Sequence, residues 1–293
     1  MRVSGAVVAP PGVVATTAPW EKLPNTAYMR GGGVRIRRSL LSPLGGHVGE
    51  PKETTMCGRF GLPQDHEVMK RAFDVSTDLE SGIDWAGLMP RYNVAPTDQV
   101  PVVLEKNGDR MAGAVRWGIM PPHTASMRGR TALGSNGKSI NTPINARAET
   151  VQSNGMFKRS FEKRRCIIPA GGYYEWKRER DSKVPYWIDL KDGSWMGLAG
   201  LYTWWKSPEG QWVPSCTIIT TSPNSFMEPI HDRMPVILTP GSYDLWLAPD
   251  VTDQSELKEV LVPYPAAEMQ AHKVSSLVNS SANDGPELLD VVH

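Results

Sequence analysis

Cysteine is scarce in this chain. The three present, Cys57, Cys166 and Cys216, form an odd and widely spaced set among 293 residues. That argues against a disulfide framework and fits a reducing compartment. No two cysteines have the close spacing of a zinc site, so no structural metal is expected. Long hydrophobic runs are also missing: nothing approaches the roughly 18 consecutive apolar residues of a membrane span. There is no phosphate-binding glycine loop, no dinucleotide fingerprint and no internal repeat, so no cofactor is expected either.

Charge of neither sign dominates, since the formal net charge is +1. Its distribution is uneven. From Arg110 to Arg165 there are eleven Lys/Arg against two acidic residues, Glu149 and Glu162, whereas the stretch after Met227 is acidic. A locally positive stretch suits a phosphate backbone laid on one face, although charges that cancel in three dimensions give the same count. Residues 1–55 stand apart. They are rich in Pro, Gly, Ala and Val, carry seven Lys/Arg against three Glu, and sustain no helical or strand period. Disorder is expected there. The Pro10-Pro11 pair breaks the one apolar stretch that a signal peptide would need.

From Cys57 onward the pattern becomes globular. The segment Asp65–Val75 puts Val68, Met69, Ala72 and Phe73 on one helical face, with Asp65 as N-cap. Short apolar runs follow, among them "QVPVVLE", "AVRWGIM", "RCIIPAGGYYEW", "VPYWIDL", "WMGLAGLYTWW", "CTIITT" and "PVIL", bounded by Gly, Pro or Asn. They are too short and too closely spaced for crossover helices. An antiparallel, barrel-like sheet is therefore expected rather than a parallel one. Flanking helices are expected at "MFKRSFEKRR", "PGSYDLWLA" and "DQSELKEVL".

Four places could carry chemistry. Cys57 is followed two residues later by Arg59, which in an extended strand shares its face; a nearby cation lowers a thiol pKa. A small buried hydrophobe explains such a cysteine equally well. In "PINARAET", Asn145 and Arg147 point the same way from a strand, one offering donor and acceptor, the other a fork for phosphate. In "GGYYEWK", Glu175 lies between Tyr174 and Trp176, where lost solvation raises a carboxyl pKa towards that of a neutral-pH acid. His231 precedes Asp232 and Arg233 just before an apolar strand and can move protons near neutrality. Turn asparagines, strand-edge glutamates and structural histidines fit these places as well. Ten tryptophans are present, and Trp117, Trp176, Trp204 and Trp205 are candidates to stack on unpaired bases, though most tryptophan surface is core.

The order of these pieces is more specific than any one of them: M-C-G-R-F, R-Y-N-V-A-P, W-G, I-N-A-R-A-E-T, C-I-I-P-A-G-G-Y-Y-E-W, I-H-D-R-M-P and a closing "VSSLVNSSANDGPELL". In this order the chain, from Met56 to about Leu289, resembles the SOS-response-associated peptidase (SRAP) family, also described as abasic-site processing proteins.

The resemblance implies a single α+β domain around a distorted antiparallel barrel that covalently captures abasic sites in single-stranded DNA. It implies catalytic roles for Cys57, Asn145, Glu175 and His231, and places Thr220 near the site. Arg59 and Arg147 are expected to grip phosphates, and Trp117 or Trp176 to stack on a base. The family's cysteine follows the initiator methionine, so Met56 is read as the functional start, with residues 1–55 an over-extended start or a removed segment. The implied partner is single-stranded DNA containing abasic sites, bound by a monomer, with no membrane, in the cytoplasm or at the nucleoid if bacterial. Two alternatives remain open: a cysteine-dependent peptidase, chiefly cleaving its own Met56–Cys57 bond, and a non-catalytic reader of modified DNA.

Overall fold

The apolar runs become strands in the computed structural model, which describes residues 57–180, 182–251 and 253–292. The disorder expected for residues 1–55 lies outside the described residues. In chain order the first elements are β1 (Arg59–Leu62), α1 (His66–Ala72), β2 (Thr77–Asp78), α2 (Trp85–Leu88), β3 (Arg91–Val94), β4 (Gln99–Lys106) and β5 (Asp109–Trp117). A small hairpin, β6 (Ser126–Arg128) and β7 (Thr131–Leu133), leads to β8 (Asn145–Arg147) and α3 (Lys158–Lys163). Then come β9 (Arg165–Ala170), β10 (Gly172–Glu179), β11 (Ser182–Leu190), β12 (Met196–Lys206) and β13 (Trp212–Thr221). The chain closes with β14 (Met234–Pro235), β15 (Ile237–Leu238), α4 (Tyr243–Leu247), α5 (Gln254–Glu259) and β16 (Met269–Lys273).

Five strands close on themselves. β4 pairs with β5, β5 with β13, β13 with β12, β12 with β9, and β9 returns to β4 through Val103 and Ile167. The ring leaves no free edge along this circuit, which removes a template for unwanted pairing. Its strands are aliphatic, and both faces are covered: Val100, Val102, Val103, Ile167, Ile168, Leu198 and Ile218 are all buried. Most pairings are antiparallel as expected, but β13 runs parallel to both β5 and β8, and β2 parallel to β5. Long connections rather than tight hairpins join these pairs, which is what parallel pairing requires.

A second sheet, ordered β16-β11-β10-β1-β3, carries Glu175 and the start of β1. The pair "GG" at its root has a steric reason. A Cβ on Gly172 would sit 2.4 Å from the Trp187 ring and 2.6 Å from the Ile188 carbonyl oxygen. Only glycine lets that indole press flat against β10, which fixes the register that follows: Tyr173 opposite Phe60 and Tyr174 opposite Arg59.

The four helices expected from the sequence form as α1, α3, α4 and α5, whereas the short α2 was not foreseen. Asp65 caps α1, accepting from the Glu67 and Val68 amides at 2.8 and 3.1 Å. Of the four apolar residues predicted for its inner face, Met69 and Phe73 are buried, Val68 is half-buried and Ala72 is exposed. The helix spans only two turns and is followed by Asp74 at φ 52°, so one i,i+4 pair meets the core. Beyond β16 the chain folds back over β1 and β3. The Asn93 amide nitrogen donates to the carbonyls of Val278, Ser280 and Asn283 at 3.1, 3.0 and 2.8 Å, and Asp284 accepts from the Tyr92 and Asn93 amides. Among the described residues no helix is long and apolar enough to cross a membrane.

Candidate functional site

Cys57 lies just before β1 at φ 41°, a conformation that residues with side chains seldom adopt. The turn takes Cys57 off the strand's alternation, so it does not share a face with Arg59 as an extended strand would require. Cys57 is buried and its backbone nitrogen donates to Glu175 Oε1 at 2.6 Å. Arg59 points elsewhere. Its guanidinium donates to Asn93 Oδ1 and to the Val278 carbonyl, both at 2.9 Å, and to the Asn279 carbonyl at 3.3 Å. It is a staple for the C-terminal turn.

Glu175 is the centre of the arrangement. It is buried on β10 and accepts from both the backbone N–H and the thiol of Cys57. Burial raises its carboxyl pKa, partly offset by His231 and by the hydrogen bonds from Cys57. That is the direction expected from its position between two aromatics. The Cys57 thiol is pushed well up, first by burial and then by the Glu175 charge, with only Arg233 acting the other way. The thiol is therefore neutral in this setting. The expectation that Arg59 lowers it is corrected: Arg59 is turned away, and the nearest influential charge is negative.

His231 Nε2 stands 3.9 Å from Glu175 Oε2, beyond a hydrogen bond but close enough for their charges to couple. Its turn is held from below, since its own amide donates to the Met227 carbonyl at 2.9 Å. Met227 Sδ in turn receives the Tyr173 hydroxyl at 3.2 Å. Asn145 and Arg147 leave β8 on one side, with Ala146 buried between them, as their spacing predicts. β8 sets Asn145 beside Ile218 and Arg147 beside Thr220 of β13.

The tryptophans sort differently from expectation. Trp117 is fully buried, packs edge-on against Phe60 at 5.0 Å and donates its indole N–H to the Ile144 carbonyl at 3.0 Å. It cannot stack on a base; it is core. Trp205 is also buried, bonded to the Thr124 carbonyl, while Trp204 is half-buried. Trp176, beside Glu175, keeps part of its ring open and donates to Asn279 Oδ1 at 2.7 Å. Thr220 is likewise fully buried, so its hydroxyl meets Arg233 rather than a nucleic acid. Trp117→Ala is expected to cost about 3–5 kcal/mol of stability, read as a lower denaturant midpoint.

Two members of the cluster were missed in the sequence, Arg233 and Glu149. Arg233 grips Glu149 with both ends of its fork, at 2.5 and 2.9 Å, and donates to the Thr220 carbonyl at 2.7 Å. Each lies inside a motif already quoted, "HDRMP" and "ARAET", but nothing in one sequence pairs residues so far apart. Among the described residues no group of His, Cys, Asp or Glu could hold a metal ion.

The chain is similar to known proteins in sequence and in fold. The family model of the SOS response associated peptidase (SRAP) matches residues 56–281. The abasic site processing protein YoqW of Bacillus subtilis is 41% identical over 236 residues, covering 80% of this chain and 99% of YoqW. The abasic site processing protein YedK of Escherichia coli is 30% identical over 242 residues, covering 81% of this chain and all of YedK. A crystal structure of a Bacteroides thetaiotaomicron protein superposes with a TM-score of 0.70 at 25% identity, over 81% of this chain and the whole of the other.

Proposed function

The chain belongs to the SOS response associated peptidase (SRAP) family, and on that premise we propose that it captures abasic sites in single-stranded DNA as a thiazolidine on an amino-terminal Cys57. The observation that carries the reading is the 2.6 Å contact between the Cys57 nitrogen and the Glu175 carboxyl. With Met56 attached, that nitrogen is an amide whose lone pair is delocalised. Once Cys57 is the first residue, the same atom is an amine held against an acid.

A ring-opened abasic site presents an aldehyde. The amine attacks its carbon, and the carbinolamine loses water to give an imine. The thiol then adds to the carbon of the protonated imine, gives up its proton, and closes a five-membered ring. One water leaves and nothing is oxidised. Glu175 supplies the proton that expels water and then receives the thiol proton, which suits a raised carboxyl beside a neutral thiol. Asn145 orients the amine, and His231 protonates the sugar ring oxygen or steadies the opened sugar. Arg147 and Arg59 meet phosphates, Arg59 with the donors its staple leaves over, and Trp176 stacks on the neighbouring base. The family match over residues 56–281 supports Met56 as the functional start of a domain taken to span 56–293. The protein acts as a monomer in the cytoplasm, at the nucleoid in a bacterium.

Peptidase action on other proteins finds less support. A nucleophilic cysteine protease needs a thiolate paired with a base, and here the thiol is neutral against a carboxyl. Incubation with casein and with an abasic oligonucleotide separates the two: peptides from the first support proteolysis, a denaturation-stable adduct with the second supports capture.

Recognition rests on backbone and stacking, so affinity falls as salt rises. Arg147→Ala is expected to weaken binding uniformly across sequences and to reduce the slope of log K against log salt by about 1. Fluorescence anisotropy over a salt series measures it.

A further inference from the structure

The ring of His231 is not held by Glu175, which stands 3.9 Å away. The residue two positions on does that work. The Arg233 backbone N–H donates to His231 Nδ1 at 3.1 Å. That bond makes Nδ1 the acceptor, so the proton of the neutral imidazole sits on Nε2, on the side of Glu175. Asp232 Oδ1, 3.0 Å from Nδ1, favours the opposite assignment, but that carboxylate is 87% exposed and its field is weakened by solvent.

The backbone of Arg233 is fixed in turn by its own side chain, which is only 13% exposed. Its fork spans Glu149 bidentately and reaches the Thr220 carbonyl. A two-point, charge-assisted contact sets direction as well as distance. Glu149 follows β8 by two residues, and Thr220 is paired with Arg147 in the neighbouring strand. The fork thus ties the segment bearing Asn145 and Arg147 to the turn bearing His231.

We propose that Glu149 and Arg233 are a positioning pair that holds His231 as the Nε2–H tautomer facing Glu175. The kinetic part of this rests on the proton-transfer role of His231 proposed above; the tautomer part does not.

The test uses a chain beginning at Cys57, its Glu149→Gln variant and its Arg233→Lys variant. Nitrogen NMR of the His231 ring, without DNA, reads the tautomer. The wild type is expected to show Nε2–H, and Glu149→Gln a mixture of both tautomers. Crosslinking of abasic DNA should slow about tenfold or more in Glu149→Gln, as misplacement of a proton-transfer group does. Affinity for a non-reactive tetrahydrofuran analogue should stay within about twofold, which a merely unfolded site would not allow. Arg233→Lys should not rescue, because an ammonium cannot span Glu149 and Thr220 together. An unchanged His231 spectrum with a rate within about twofold of wild type overturns the proposal. If the wild type itself formed no crosslink, the reading of the function would fail, and the His231 spectra alone would decide the positioning pair.

Discussion

A chain whose first residue is Cys57 is expected to crosslink abasic single-stranded DNA, and the intact 293-residue chain is expected to form none. The difference is one atom's chemistry. An α-amino group has an unperturbed pKa of about 7.7–8.0 and offers a lone pair near neutrality; an amide nitrogen offers none. The thiol then closes the ring on a carbon already attached through the nitrogen. Held geometries of that kind reach effective concentrations of about 10⁵–10⁸ M. Cys57→Ser sharpens the expectation. It keeps the amine, so borohydride should still trap an imine, while the adduct that survives denaturation without reductant should disappear. A denaturing gel with and without borohydride reads both outcomes. Stable adduct from Cys57→Ser would remove the thiol from the mechanism.

Glu175→Gln should slow crosslinking by about 10²–10⁴-fold, the usual worth of a positioned acid or base. Its pH dependence carries a sign that can be checked. Burial raises the Glu175 pKa, so the folded state favours the protonated carboxyl. The stability this gives is fully present below the ordinary carboxylate range and is lost as pH rises through the raised value. Wild-type stability should therefore decline on the alkaline side of that range, and the Gln variant, which cannot ionise, should decline less. The rate should follow the same group: it falls at low pH as the amine takes a proton, and at higher pH as Glu175 loses one. In Glu175→Gln the high-pH limb should flatten. Thermal melts and single-turnover rates over the same pH series test both statements.

Much of the fold was legible because strand-length apolar runs bounded by turn residues leave few alternatives. Four of the helices were foreseen; of these α1 and α5 carry side-chain caps, from Asp65 and Asp253, whereas α3 and α4 have none. Within the site, the burial of Glu175 followed from its aromatic neighbours, and the shared side of Asn145 and Arg147 from period-two geometry. What failed depended on long-range placement. Trp117 read as a candidate base-stacker until β5 put it against Phe60 of β1 in the core. Arg59 read as a partner of Cys57 until the positive φ at Cys57 broke the alternation and the C-terminal turn claimed its guanidinium. The bond between Glu149 and Arg233 joins two motifs through tertiary structure alone.

The most direct test of the central claim is mass spectrometry of the peptide that begins at Cys57, taken from the crosslinked product. The account predicts that the peptide mass rises by the opened sugar remnant less one water, and that the Cys57 thiol no longer reacts with an alkylating reagent, because nitrogen and sulfur share one carbon. An adduct that leaves the Cys57 thiol free, or one formed by a chain proven intact from Met1, would contradict it.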